Sequence, residues 1–478
     1  MIELFYFSME LYYLQFLFPI IIESEKDSKK DGDNMIKKNT SLNRQLFSIT
    51  WPLFIECSLF LLLGNMDVFM LGKYSDTSVG AVGIVNQLAS MLQLMFSIIT
   101  NGTSILCAQY LGAKKSKDEK NRLVGAAILF NFTIGAIISI VLCFGYKPLL
   151  HLMHTDPIFM PDASAYLRIA GGFLFLQALS LTFSAILRAH GRTKICMVTT
   201  IVINLINVTG NAVLIFGLGP APRLGVAGAA ISTSFSRLIS TIVLGFVLFK
   251  TCIPDFTLKS FHGFPKKELR SILTLGLPAA GEQISYNLAK TTTVIILTYI
   301  GTSAVTANSY LSSITSFIYT FSASIAQGTA IVVGWLAGEN RRKDAYSLVM
   351  RSFAFAFAAS MVMSVIFLVG GRWFLSFLTS DPEILALGNI IFLLNFITEA
   401  GRCGNLVFIN SLRATGDVNY PVIVGVISMW SVAVFLSYLF GLKFGWGLPG
   451  VWLALGLDEC VRAVFMFFRW RRFGKGRD

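Results

Sequence analysis

Of 478 residues, 54% are hydrophobic and 14% charged, and the mean hydropathy is +0.67. Soluble domains carry roughly 25% charged residues, so this is the composition of a polytopic membrane protein. The net charge of +13 would suggest nucleic acid in a soluble chain; here Lys and Arg sit in short clusters between apolar runs, which membrane topology explains without a nucleic-acid partner.

Residues 1–22 are apolar and aromatic but lack a basic start and an A-x-A cleavage site, so they make a poor signal peptide. Residues 23–45 turn polar, and Met35-Ile-Lys-Lys reads as a natural start. Residues 1–34 are therefore expected to be an upstream extension, with an interfacial helix as the alternative, and 1–45 is set apart from the regular pattern.

Apolar runs long enough to cross about 30 Å of hydrocarbon then follow. Their limits are 46–72, 81–112, 123–146, 163–190, 194–218, 225–250, 272–299, 303–338, 345–376, 385–413, 418–442 and 447–470, which makes twelve. Short cytoplasmic loops are enriched in Lys and Arg. Lys114, Lys115, Lys117, Lys120 and Arg122 follow the second run, Lys250, Lys259, Lys266, Lys267 and Arg270 the sixth, and Arg341, Arg342 and Lys343 the eighth. The expected topology is multi-pass in the plasma membrane with both termini cytoplasmic, and the basic tail at 471–478 agrees.

The chain also repeats itself. Gly102-Thr103-x-Ile105, Gly112 and Lys117-Asp118 recur as Gly328-Thr329-x-Ile331, Gly338 and Lys343-Asp344, each displaced by the same interval along the chain. LRAHG at 187–191 recurs as LRATG at 412–416, and Pro52 recurs as Pro278. Two six-helix lobes are expected, 46–250 and 271–470, joined by a basic linker at 251–270. A repeat of even span count keeps its orientation, relating the lobes by an axis along the membrane normal, with substrate bound between repeats.

The seven Cys are scattered through apolar runs and read as small apolar fillers. His151 and His154 lie in an expected loop beside Asp156, where a metal site is a weak alternative. No HExxH, GxSxG or Walker loop appears, so an enzyme is not expected; a duplicated, non-transporting membrane enzyme or scaffold is the competing class.

MDVFMLGKYSDTSVGAVGI at 66–84, INVTGNAVLIFGLG at 206–219, LGVAGAAIST at 224–233 and the paired LRAxG segments resemble the multidrug and toxic compound extrusion transporters over about residues 42–470. The resemblance implies an all-α protein of two pseudo-symmetric six-helix bundles. It also implies a monomeric antiporter exporting small organic, often cationic, compounds in exchange for Na⁺ or H⁺, with no other cofactor. Major facilitators share the two-half plan, but their expected G-x-x-x-D-R-x-G-R-R loop is replaced here by LGAKKSKDEKNR. Flippases of lipid-linked oligosaccharides remain the alternative within the wider superfamily.

Asp67 interrupts the apolar run LLLGNMDVFMLG, and a carboxylate at membrane depth is costly enough to imply use. The resemblance casts it as the coupling carboxylate; the bland reading is an Asp capped near a helix end. Asn207 and Asn211 share one helix face and are expected to turn amide oxygens towards Asp67. Thr233 adds a hydroxyl, so that Asp67, Asn207, Asn211 and Thr233 form an expected Na⁺ cage. Many relatives carry Asp where this chain has Asn211, so one negative charge is lost. Interhelical hydrogen bonding is the alternative for both amides.

Glu56 lies eleven residues before Asp67, about 16 Å deeper along a helix. It reads as a relay or gate, or as a carboxylate paired near the inner interface. In the second lobe Glu282, Tyr286 and Lys290 fall on one stripe, suited to an internal ion pair or a substrate-facing wall. Glu399 and Arg402 can pair three residues apart, with Asn405 continuing the face; Asp458, Glu459 and Arg462 repeat the theme.

Overall fold

A long apolar run satisfies its backbone in hydrocarbon only by closing every N–H and C=O within itself, so such runs fold as helices. The computed structural model describes residues 42–63, 66–219, 221–256 and 266–476, and among these the regular structure is helical. In chain order the helices are α1 Leu42–Leu63, α2 Met66–Gly72, α3 Asp76–Gly112, α4 Lys117–Phe144, α5 Tyr146–Leu152, α6 Met160–Tyr166, α7 Leu174–Ala189, α8 Thr193–Phe216 and α9 Val226–Val247. They continue as α10 Lys266–Ile300, α11 Thr302–Gly338, α12 Arg342–Ser376, α13 Pro382–Ala414, α14 Asn419–Ser428, α15 Phe435–Tyr438 and α16 Gly447–Gly474.

Among the described residues nine helical stretches are long and apolar enough to cross a membrane. A tenth is the pair Met160–Gly171 and Leu174–Ala189, bent by 46° after the π-helical segment Leu167–Gly171. The remaining two expected spans are α10 and α16. Glu282, Gln283, Asn287 and Lys290 in one and Asp458, Glu459 and Arg462 in the other lower the hydropathy without interrupting the helix. Large apolar side chains such as Phe144 and Val369 are more than four-fifths exposed, as a surface solvated by hydrocarbon requires.

Residues 1–41 lie outside the described residues; Leu42–Gln45, expected to precede the first span, belong to the first turn of α1. Likewise α10 begins at Lys266, which makes the end of the expected linker helical; residues 257–265 lie outside the described residues. His151 belongs to α5 rather than to a loop, and His154 follows it in a turn with φ of 52°.

Two compact units make up the chain. One holds the residues up to Thr103 together with Lys117–Leu269; the other holds Ser104–Ser116 and the residues from Arg270 onward. The division is not linear, because the end of α3 packs within the second unit. A Cβ on Gly112 would stand 1.9 Å from the Trp335 carbonyl oxygen, and one on Gly338 2.2 Å from that of Gln109. Gly112 and Gly338 are the same repeat position, and glycine at both lets backbone meet backbone. In the first unit Leu71, Phe96, Leu150, Leu167 and Ile215 are among the buried core; in the second, Leu311, Ile391, Phe392 and Val451.

Candidate functional site

Helices α8 and α9 approach closely because glycine lines their seam. A Cβ on Gly210 would meet Ser232 Oγ at 2.4 Å, and one on Gly228 the Leu214 carbonyl oxygen at 2.6 Å. That approach sets Thr233 of α9 beside Asn207 of α8, whose Nδ2 donates to Thr233 Oγ1 at 3.3 Å. Asp67, half-buried in the first turn of α2, completes the group. Thr233 Oγ1 donates to its Oδ2 at 3.4 Å, and the fully buried Asn211 donates from Nδ2 to its Oδ1.

The four residues expected to form a cation cage are thus brought together, but their polarity differs from expectation. Asn211 turns its amide nitrogen, not its oxygen, to Asp67, and that nitrogen also lies 3.4 Å from Asn207 Oδ1. The reason is elementary: an ionised carboxylate only accepts, so its neighbours present donors.

Two further residues belong to this group. Tyr166, buried at the end of α6, adjoins Thr233. Arg237 stands one turn beyond Thr233 on α9. Its Nη1 donates to the Ala170 carbonyl oxygen at 3.2 Å, within the π-helical segment that follows Tyr166. The signal for Arg237 was available, since a cation in an apolar run demands a partner; nothing in the sequence said that the partner was the Ala170 carbonyl.

Glu56 has other partners. Its Oε1 accepts from Arg188 Nη2 at 2.6 Å and from Thr200 Oγ1 at 3.4 Å. In the second unit Glu282 accepts from Arg413 Nη2 at 2.5 Å. Tyr286 and Lys290, expected on the same stripe, are exposed and share no bond with Glu282. Glu399 accepts from Arg402 at 2.6 Å, and Asn405 donates to Glu459 Oε2 at 2.7 Å. Arg402 also lies over the Tyr319 ring at 5.9 Å and reaches Glu459 at 3.7 Å. Arg462 donates to Asp458, which accepts from Ser428 at 2.5 Å. Arg188 and Arg413, the partners missed in the sequence, are the arginines of the two LRAxG segments.

A membrane-embedded helical repeat with polar groups gathered at membrane depth is the architecture of a transporter. The MatE family model matches residues 52–213 and 278–439, two segments that stand at the same displacement as Gly112 and Gly338 of the internal repeat. The chain belongs to that family. It is 41% identical to the uncharacterized transporter YisQ of Bacillus subtilis over 91% of this chain and 96% of the relative. It is 24% identical to the probable multidrug resistance protein NorM of Thermotoga maritima, covering 89% and 92% of the two chains. An outward-facing multidrug resistance MATE transporter of the MOP superfamily shares the fold, with TM-score 0.81 and 19% identity, covering 91% of this chain and 96% of that one.

Proposed function

We propose that the protein is a secondary active efflux antiporter that exports small organic, often cationic, compounds across the plasma membrane in exchange for an inward flow of Na⁺ or H⁺. The observation that carries this reading is Asp67, a half-buried carboxylate in an apolar span whose two oxygens are met by side chains of two other helices. Such a group is costly to keep at membrane depth unless a charge binds and leaves there. Coupling then follows from unequal affinity of two conformers for ion and cargo. On this reading the chain works as a monomer, with both termini cytoplasmic.

The test is uptake of a fluorescent organic cation into everted vesicles, driven by a Na⁺ gradient alone or a proton gradient alone. Gradient-driven uptake that Asp67→Asn abolishes supports the reading; uptake indifferent to Asp67 overturns it.

A further inference from the structure

The last span of each repeat ends in the same order of exposed side chains, apolar first and basic next. Gly228 and Gly450 are equivalent positions, each pressed on the backbone of the preceding span, at Leu214 and Phe440 respectively. At the same displacement, Ile242, Phe246 and Lys250 of the first unit answer to Val464, Phe468 and Arg472 of the second. All six are exposed, and the members of each set stand four residues apart, so each set forms one stripe along its helix. Lys250 lies over the Phe246 ring at 5.6 Å, so ring and charge share a side.

In α16 the stripe is fuller. Phe465 joins the exposed apolar part, and Arg471 and Lys475 join the exposed basic part. The neighbouring Arg469 turns elsewhere: its Nε donates to Asp417 at 2.7 Å, and its guanidinium lies over the Tyr420 ring at 5.0 Å. Trp470 is buried and stacks on Phe473 at 4.8 Å, which holds the end of the helix in place. The start of α12 meets it there. Arg342 lies over the Phe473 ring at 5.4 Å, and a Cβ on Gly474 would stand 2.4 Å from the Tyr346 ring. Lys343, exposed beside Arg342, therefore comes to the same end, while the nearby carboxylates of Glu339 and Asp344 are engaged by Arg341 at 3.0 and 2.8 Å.

We propose that the end of α16, flanked by the start of α12, binds the headgroup of an anionic phospholipid, with its phosphate on Arg471, Arg472 and Lys475 and its acyl chains along Val464, Phe465 and Phe468. The spacing suits the ligand. From Phe468 to Arg472 the helix rises roughly 6 Å, a step on the scale of that from acyl chain to phosphate. A guanidinium matches a phosphate in shape as well as charge, because two of its N–H groups can donate to two oxygens at once. Anionic headgroups also add to the attraction that Lys and Arg feel at the membrane surface. Two plainer roles exist for these cations: basic residues at the end of a span set its orientation, and cations at a helix C-terminus balance its dipole. Neither role distinguishes one lipid from another at a chosen helix end, and a headgroup site does.

The experiment is thermal unfolding of the purified full-length protein in a neutral detergent, with phosphatidylglycerol, phosphatidylcholine of the same chains, or inorganic phosphate titrated in. A ligand that binds the folded state raises the midpoint by mass action. The wild-type midpoint should climb and level off with phosphatidylglycerol, and stay flat with phosphatidylcholine and with phosphate. The triple variant Arg471→Gln, Arg472→Gln, Lys475→Gln should lose most of that rise while matching the wild type in phosphatidylcholine. Lys114→Gln with Lys115→Gln removes exposed charge at another helix end and should keep the rise. An equal rise with phosphatidylcholine overturns the proposal, as does a rise that the triple variant retains or that both sets of variants lose alike. A rise with inorganic phosphate as large as that with the lipid assigns the cations to free phosphate and overturns the lipid site. If the triple variant does not fold, Lys343→Gln with Lys475→Gln, one cation from each helix, decides on the same comparison.

Discussion

Arg188 and Arg413 occupy the same place in the two repeats, and each donates to a carboxylate on the first helix of its repeat: Glu56 at 2.6 Å and Glu282 at 2.5 Å. Glu56 and Glu282 are themselves repeat equivalents, at the same displacement as Pro52 and Pro278. The same pair therefore ties the same two helices together in each unit, α1 to α7 and α10 to α13.

Breaking one pair from one side should be worse than removing it. Arg188→Met leaves Glu56 buried without its partner, and Arg413→Met does the same to Glu282; losses of about 3–5 kcal/mol are typical of such half-deletions. The double variant Glu56→Met with Arg188→Met should recover much of the loss. Thermal unfolding of the four proteins in a double-mutant cycle gives the coupling directly. Equal damage from single and double variants would show that the pair is not a unit.

Asp67 and Glu56 should separate function from folding. Asp67→Asn keeps a group that can pair with Asn211 and Thr233, so the protein should reach the membrane at normal levels while gradient-driven uptake is lost. Glu56→Gln weakens the bond to Arg188 and should lower the melting midpoint first. The check is quantitative blotting of membranes beside vesicle uptake; an Asp67→Asn protein that transports normally would remove Asp67 from the mechanism.

Two glycines should respond oppositely to the same substitution. A methyl at Gly112 collides with the backbone of Trp335, whereas nothing lies within 4 Å of a Cβ on Gly281 in α10. Gly112→Ala should cost about 1–3 kcal/mol or more through overpacking. Gly281→Ala should be neutral or stabilising by up to about 1 kcal/mol, because alanine favours the helix. Melting midpoints of the two variants provide the comparison, and a Gly112→Ala protein as stable as the wild type would contradict the close approach.

Charged residues on the second repeat should divide by exposure. Lys290 is exposed on α10, so Lys290→Ala should stay within about 0.5 kcal/mol of the wild type. Arg462 is buried and bonded to Asp458, so Arg462→Met should destabilise strongly. Retained folded fraction after heating, read by size-exclusion chromatography, distinguishes them; similar profiles would mean that Arg462 does not pair at depth.

Hydropathy marked the spans because hydrocarbon imposes helices on any long apolar run. In α10 and α16, the two runs richest in polar residues, Glu282, Asp458, Glu459 and Arg462 find partners inside the protein, whereas Lys290 stays exposed. Periodicity put Glu282, Tyr286 and Lys290 on one stripe of α10, yet only Glu282 turns inward, since a stripe that wide reaches from buried neighbours to the surface. Local spacing gave the Glu399 and Arg402 pair, whose members are one turn apart.

The sequence by itself determined what depends on composition and on displacement along the chain: helices, a membrane solvent, two repeats at one fixed offset and a carboxylate in an apolar run that calls for a use. Only the tertiary structure decided which charges meet. Glu56 lies 132 residues from Arg188, Asp67 144 from Asn211 and Glu282 131 from Arg413. At such separations the chain's own periodicity carries no information about contact. Packing of helix on helix chooses the partner, and at Asp67 it brings the Asn211 amide nitrogen and the Thr233 hydroxyl from two other helices.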